Sequence, residues 1–206
     1  MGSSRLPAND ASTDLVSTDL VLGVDPGLAN TGWALLDGES QIVACGTVRT
    51  RSGSIAPRLL GVVDGLRAAL HGRPVREAAL EQLFWGSNAT SAVNVAQARG
   101  ALLASLCAEG IAVHEYTPAQ VKAVLTGYGS ARKQQMMRMV RAQVRDTQLE
   151  MDDHAADAAA IAICHVRSRR LRSLAGGGGG RTLEEAAAAA LHDARTAPRA
   201  RRSARA

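Results

Sequence analysis

Leu20-Val21-Leu22-Gly23-Val24-Asp25-Pro26-Gly27 is the stretch whose reading decides the fold. Its first five residues are largely apolar and do not alternate, the pattern of a strand buried on both faces. The run stops on a carboxylate and passes at once into a Pro-Gly turn signal. A carboxylate at the end of a buried strand needs a counter-charge, a hydrogen-bond partner or a metal, because burying it bare is very costly. Spacing alone leaves a plainer role open, in which Asp25 simply forms the turn.

Working outward, Thr31–Leu36 reads as a second strand and Asp37-Gly38 as a hairpin signal leading into Ile42–Arg49. A three-strand antiparallel meander is expected. Ala56–Leu70 carries Leu59, Leu60, Val63, Leu66 and Leu70 at helical spacing, and Val75–Leu80 is a short apolar strand that also ends on an acid, Glu81. Helices are expected over Asn88–Ala108, Pro118–Val124, Arg132–Arg145 and from Asp152 or Asp153 to about Leu171, with a strand at Ile111–His114. The order predicts an α/β fold, a mixed five-stranded sheet flanked by helices. Residues 1–18 are polar and aperiodic and read as a flexible extension. Residues 19–173 form the folded domain, and 174–206 a glycine-rich linker with a basic, disordered tail.

Charge follows that division. From Arg167 onward ten arginines face three acids, a net of +7, while the preceding residues hold fourteen basic and sixteen acidic side chains, a net of −2. The overall +5 therefore belongs to the tail and does not by itself make the folded part a nucleic-acid binder. Three widely spaced cysteines without a CxxC pair argue against a disulfide framework or a zinc cluster, and for a reducing, cytoplasmic setting. No run approaches a membrane span or a secretory leader, so no membrane partner is expected.

Three segments bring acids together. Asp25 and Glu81 end two early strands, which tend to be neighbours in a sheet. Asp152-Asp153-His154-Ala155-Ala156-Asp157 opens the last helix, where His154 and Asp157 project from one face and the alanines permit close approach to the sheet. Acids converging in this way repel unless cations lie between them, and oxygen-rich sites suit Mg²⁺ or Mn²⁺. Asp152 and Asp153 read more simply as helix caps, and His154 as a first-turn histidine. Only two lysines occur, Lys122 and Lys133, and from Lys122 to Arg145 there are six basic residues and no acid. That segment is either a solvated helix face or a phosphate-binding ridge built from Lys122, Arg132, Lys133, Arg138 and Arg141. A small-residue stripe, Ala92, Ala96, Gly100, Ala104 and Ala108, faces either the sheet or a second copy of the chain.

Val24-Asp25-Pro26-Gly27 with Thr31-Gly32, Glu81-Gln82-Leu83-Phe84, Gln97-Ala98-Arg99-Gly100, Gly127-Tyr128-Gly129-Ser130-Ala131 and Asp153-His154-Ala155-Ala156-Asp157-Ala158 resemble, in this order, the RuvC family of Holliday junction resolvases. The resemblance spans about residues 19–171. It implies an RNase H-like fold, a homodimer, and metal-dependent symmetric nicking of four-way DNA junctions in recombination and repair, alongside the branch-migration proteins RuvA and RuvB. It also implies Asp25, Glu81 and Asp157 as catalytic metal ligands for Mg²⁺ or Mn²⁺, two ions to a site. His154 falls on a fourth position held by an acid or a histidine, where it either ligates metal or handles a proton. Phe84 takes the place of an aromatic that stacks on an unpaired base, and Lys122 and Lys133 lie near the scissile backbone. Trp85 is left between base contact and core packing. Rival readings are a related nuclease acting on RNA, a non-catalytic junction binder, and an actin-like or sugar-kinase-like ATPase, which needs a second phosphate-binding hairpin and a longer chain.

Overall fold

The computed structural model describes residues 20–38, 40–83, 89–144 and 149–175. Five strands, β1 (Leu20–Asp25), β2 (Asn30–Leu36), β3 (Ile42–Arg49), β4 (Val75–Glu81) and β5 (Ala112–Tyr116), form one sheet in the order β3-β2-β1-β4-β5. The first three make the expected antiparallel meander, and β4 and β5 run parallel to β1. Asp37 closes the β2–β3 hairpin by accepting the Gln41 N–H on its side chain at 2.9 Å.

Helices α1 (Ile55–Leu70) and α2 (Ala89–Ala108) cover one face of the sheet. Their buried residues, Val62, Leu66 and Leu70 from α1 and Leu102 and Leu106 from α2, pack with Leu22, Val24, Leu35 and Leu80. Leu60, expected in this stripe, is 58% exposed, and Val62 takes the inward position. The other face carries α3 (Pro118–Thr126), α4 (Lys133–Arg141) and α5 (Asp153–Ala175). Strand parity divides the residues: Val21, Ala34, Leu36 and Ala79 pack with α5, their neighbours with α1 and α2.

Thr117 caps α3 through a full capping box with Gln120, and Gly127 closes it in the left-handed conformation at φ 79°. Helix α4 ends four residues before the expected Arg145. Its chain turns onto the free edge of β3, where Ile42 N–H donates to Gln143 O and Val144 forms a parallel bridge with Ile42. Strand β5 runs on past His114, because Tyr116 pairs with Glu81 across the parallel register.

Helix α5 lies very close to the sheet, and sequence explains how. Ala155, Ala156, Ala158, Ala159, Ala160 and Ala162 are all buried on it. Below them stand Gly23 and Gly32, where an added Cβ would meet the Ala158 and His154 carbonyl oxygens at 2.0 Å in each case. The alanine-rich, aromatic-poor composition thus fills the interior by close backbone approach rather than by bulk.

Candidate active site

Asp25 ends β1 and Glu81 ends β4, each one residue beyond the register pair Val24–Leu80. Asp25 shares strand parity with Val21 and Gly23, and Glu81 with Ala79, so both carboxylates emerge on the α5 face. Asp157, one turn into α5, meets them there. The three acids line a single cavity of about 280 Å³ with Pro118, Val121, Lys122, Lys133, Met136 and Ile161. The Pro-Gly turn after Asp25 is pinned by buried Thr31, whose hydroxyl donates to the Gly27 carbonyl at 2.6 Å.

Burial pushes the Asp25 carboxyl above the ordinary carboxylate range, and the Asp157 charge adds to the rise while the His154 hydrogen bond opposes it. Glu81 is raised by burial first and then by Asp25 and Asp157, against the pull of Lys122. These are the shifts of a site that holds more negative charge than its cations offset. An all-oxygen donor set of this charge fits a hard divalent ion.

His154 reaches the site by way of Asp25, its Nδ1 lying 3.2 Å from Asp25 Oδ2, and it is not among the residues lining the cavity. Asp157 turns Oδ2 towards Lys133 Nζ at 3.4 Å, and the same ammonium pairs with Asp153 Oδ2 at 3.2 Å. Three of the four expected ligands, Asp25, Glu81 and Asp157, thus share the cavity without converging: no three of Asp25, Glu81, His154 and Asp157 bring ligand atoms within 4.8 Å of one another.

Lys122 and Lys133 both line the cavity. Lys133 also borders an adjoining depression with Gln134, Met137, Arg138, Arg141 and Asp153, so a basic path leads from the acids onto the exposed face of α4. Arg132, just before α4, is exposed and lines neither. Phe84, Trp85 and Arg145 lie outside the described residues.

Two supporting residues complete the frame. Arg99 on α2 donates from Nε to the Glu81 carbonyl at 3.4 Å and pairs with Glu115, tying the end of β4 to its neighbours. Arg99 is the one charged residue of α2, the only mark it carried in the sequence. Asp152 is the cap of α5: Oδ1 accepts from the Ala155 N–H at 2.9 Å and the Thr47 hydroxyl at 2.6 Å, and the other oxygen pairs with Arg49. Against the upward pull of burial, these donors hold its carboxyl below the usual range. Asp152→Ala is expected to lower stability by about 1 kcal/mol, the usual value of a helix cap. In a thermal melt that corresponds to a fall in Tm of about 2–4 °C.

The chain matches the family model "Crossover junction endodeoxyribonuclease RuvC" over residues 21–165. It is 45% identical over 148 residues to the crossover junction endodeoxyribonuclease RuvC of Roseiflexus sp. (strain RS-1), covering 70% of this chain and 88% of that relative. With the RuvC of Rubrobacter xylanophilus it shares 40% identity over 161 residues, 76% of this chain and 90% of the other. Among solved structures, T. thermophilus RuvC in complex with a Holliday junction substrate superposes with a TM-score of 0.67 at 27% identity, covering 74% of this chain and 96% of that one. The yeast mitochondrial Holliday junction resolvase, at 16% identity and a TM-score of 0.55, shares the fold.

Proposed function

The chain belongs to the RuvC family of crossover junction endodeoxyribonucleases, with its RNase H-like fold, and from that premise we propose how its own residues resolve a Holliday junction. The observation that carries the reading is the shared cavity of Asp25, Glu81 and Asp157 beside two lysines. Asp25, Glu81 and Asp157 would hold Mg²⁺ or Mn²⁺, two ions to a site. Such ions, when bound, activate water and stabilise the leaving oxygen of a phosphodiester.

The remaining work falls to the side chains around them. Lys122 and Lys133 bind the scissile phosphate, offsetting the repulsion between DNA and the acids. Lys133, exposed and held as an ammonium chiefly by Asp153, exchanges its carboxylate partners for phosphate as the strand enters. Arg138, Arg141 and Arg132 carry the flanking backbone along α4. Phe84, three residues past Glu81, stacks on a base freed at the crossover, a contact of about 1–3 kcal/mol. Bacterial chromosomal DNA as the substrate puts this work in the cytoplasm, with RuvA and RuvB as partners on the junction.

A homodimer supplies the second nick. Gly100, Ala104 and Ala108 are exposed, as is Val93, while Ala98, Leu102 and Leu106 fill the core. Most of the small-residue stripe thus faces away from the sheet, and a close two-fold helix contact suits it.

His154 has two readings that one assay separates. An imidazole in the ligand set favours Mn²⁺ over Mg²⁺. Faster cleavage with Mn²⁺, with the preference lost in His154→Asp, is the expected result. Equal or slower cleavage with Mn²⁺ would count against ligation and leave His154 to handle a proton beside Asp25. The function as a whole is tested by incubating the protein with a synthetic four-way junction, a linear duplex and an RNA–DNA hybrid, with Mg²⁺, Mn²⁺ or EDTA. Paired, metal-dependent nicks in the junction alone are expected. Preferential cutting of the hybrid would favour the RNA-directed alternative, and junction binding without cutting the non-catalytic one.

A further inference from the structure

We propose that Glu77, His114 and His165 form a second metal site, for Zn²⁺ or an ion of similar softness, separate from the catalytic cavity. The three residues come from β4, β5 and α5, and one ligand atom of each lies within 4.8 Å of the others. Glu77 and His114 share the strand parity of Ala79 across the β4–β5 register, so both side chains leave the sheet on the face where α5 brings His165 down. His165 is fully buried, with Nε2 2.8 Å from Glu77 Oε2 and Nδ1 2.7 Å from the Tyr116 hydroxyl. The His114 ring packs on it at a centroid separation of 4.4 Å.

Two imidazoles and a carboxylate are a donor set that zinc takes, with a fourth position left for water. A ligating histidine ordinarily gives its other ring N–H to an oxygen that fixes tautomer and orientation. The Tyr116 oxygen stands where that partner is needed. The neutral His165 ring carries one proton. Without metal that proton sits on Nε2 and is donated to the Glu77 carboxylate, while Nδ1 accepts from the Tyr116 hydroxyl. An entering ion would take the Nε2 lone pair as the proton moves to Nδ1 and is donated to the Tyr116 oxygen, so none is lost to solvent. A plain hydrogen-bonded network explains the pairing of His165 with Tyr116 and Glu77. It leaves the His114 ring stacked on His165 with no side-chain hydrogen bond among the described residues. Arg169 also donates to Glu77 Oε2 at 2.6 Å, and it is the cation an entering ion has to compete with. Entry is open, since His165 is covered but the Glu77 side chain keeps 27% of its exposure.

The same two elements carry both sites at different levels. Glu77 precedes Glu81 by four strand residues, about 13 Å, and His165 follows Asp157 by eight helical residues, about 12 Å. One ion cannot serve both. Their donors differ as well: imidazole selects zinc, whereas the carboxylate cavity suits Mg²⁺ or Mn²⁺. An ion held by Glu77, His114 and His165 would clip edge strand β5 to α5 and stiffen the frame that holds Glu81 and Asp157.

The test uses the full chain, freed of metal by chelation, as the natural sequence and with Asp25→Asn to weaken uptake at the catalytic cavity. Each is titrated with Co²⁺, whose visible absorption is strong in a four-coordinate site, and then with Zn²⁺. The expected result is a band saturating at about one equivalent in both proteins, displaced by Zn²⁺, with a rise in Tm on Zn²⁺ addition. His114→Ala, at a partly exposed position and compared with its own metal-free melt, is expected to weaken binding at least about tenfold and to remove the Zn²⁺-dependent rise. His165→Gln should do the same. Absence of the band, or its retention at full affinity in His114→Ala, would overturn the proposal.

Discussion

Asp25→Asn is expected to yield a protein that binds a four-way junction, fails to cut it and, without metal, melts at a higher temperature than the natural chain. The first two effects follow from the position of Asp25 at the mouth of the Pro-Gly turn, between His154 and the shared cavity. Metal coordination contributes several kcal/mol to transition-state charge stabilisation. At 1.36 kcal/mol per decade, losing a central ligand should cost about 10³-fold or more in rate. The phosphate contacts proposed for Lys122, Lys133 and α4 do not involve Asp25, so binding should persist and keep its salt dependence. The third effect comes from linkage. The Asp25 carboxyl is raised in the folded protein, by burial first and the Asp157 charge next. The folded state therefore holds a proton that the unfolded state releases, and stability falls as pH rises from the ordinary carboxylate range through the raised value. Above that raised value the whole penalty is present, and the neutral amide removes it. A gain of about 1 kcal/mol is typical when a functional site is relieved of such strain, or about 2–4 °C in Tm. Melts in EDTA across pH provide the check: the gap between variant and natural chain should close as pH falls. Full cleavage by Asp25→Asn would remove Asp25 from the mechanism, and a lower Tm at neutral pH would show that its charge is already offset.

How far the sequence could be read depended on whether the deciding force was local. The apolar run before Asp25 and the Asp-Gly hairpin signal placed β1 and β3 correctly, because strand burial and turn chemistry are written in adjacent residues. Glu81 stood out for the same reason, an acid closing an apolar run. The end of α4 was not legible: it is set by a bridge from Val144 to Ile42, a contact between residues a hundred positions apart. On α2 the periodicity offered two stripes, and only packing showed that Ala98, Leu102 and Leu106 face the sheet while Gly100 and Ala104 face out. Arg99 carried no role in its motif until the fold brought the Glu81 carbonyl beside it. The group of Glu77, His114 and His165 was invisible for a related cause, since no two of its members share an element.

The conformation of the site rests on a glycine with no chemical role. Gly32 pairs with Asp25 across the β1–β2 register, and a Cβ there would sit 2.0 Å from the His154 carbonyl oxygen and 2.3 Å from its carbon. Both are backbone atoms, so no rotamer change relieves the clash, and the first turn of α5 has to lift. That turn carries His154 and leads to Asp157, while Asp25 stays with the sheet. Gly32→Ala is therefore expected to separate the acids, and a displacement of about 1 Å in a catalytic group costs about 10²-fold in rate. Overpacking should lower stability by about 1–3 kcal/mol. Gly61→Ala on α1 is the matched control, because its Cβ would make only an ordinary 3.7 Å contact with Thr50, and a helical alanine gains up to about 1 kcal/mol over glycine. Melting and junction-cleavage rates of the two variants decide the matter. If Gly32→Ala cuts at the natural rate while Gly61→Ala behaves as expected, close approach of α5 to β2 is not what holds Asp157 opposite Asp25.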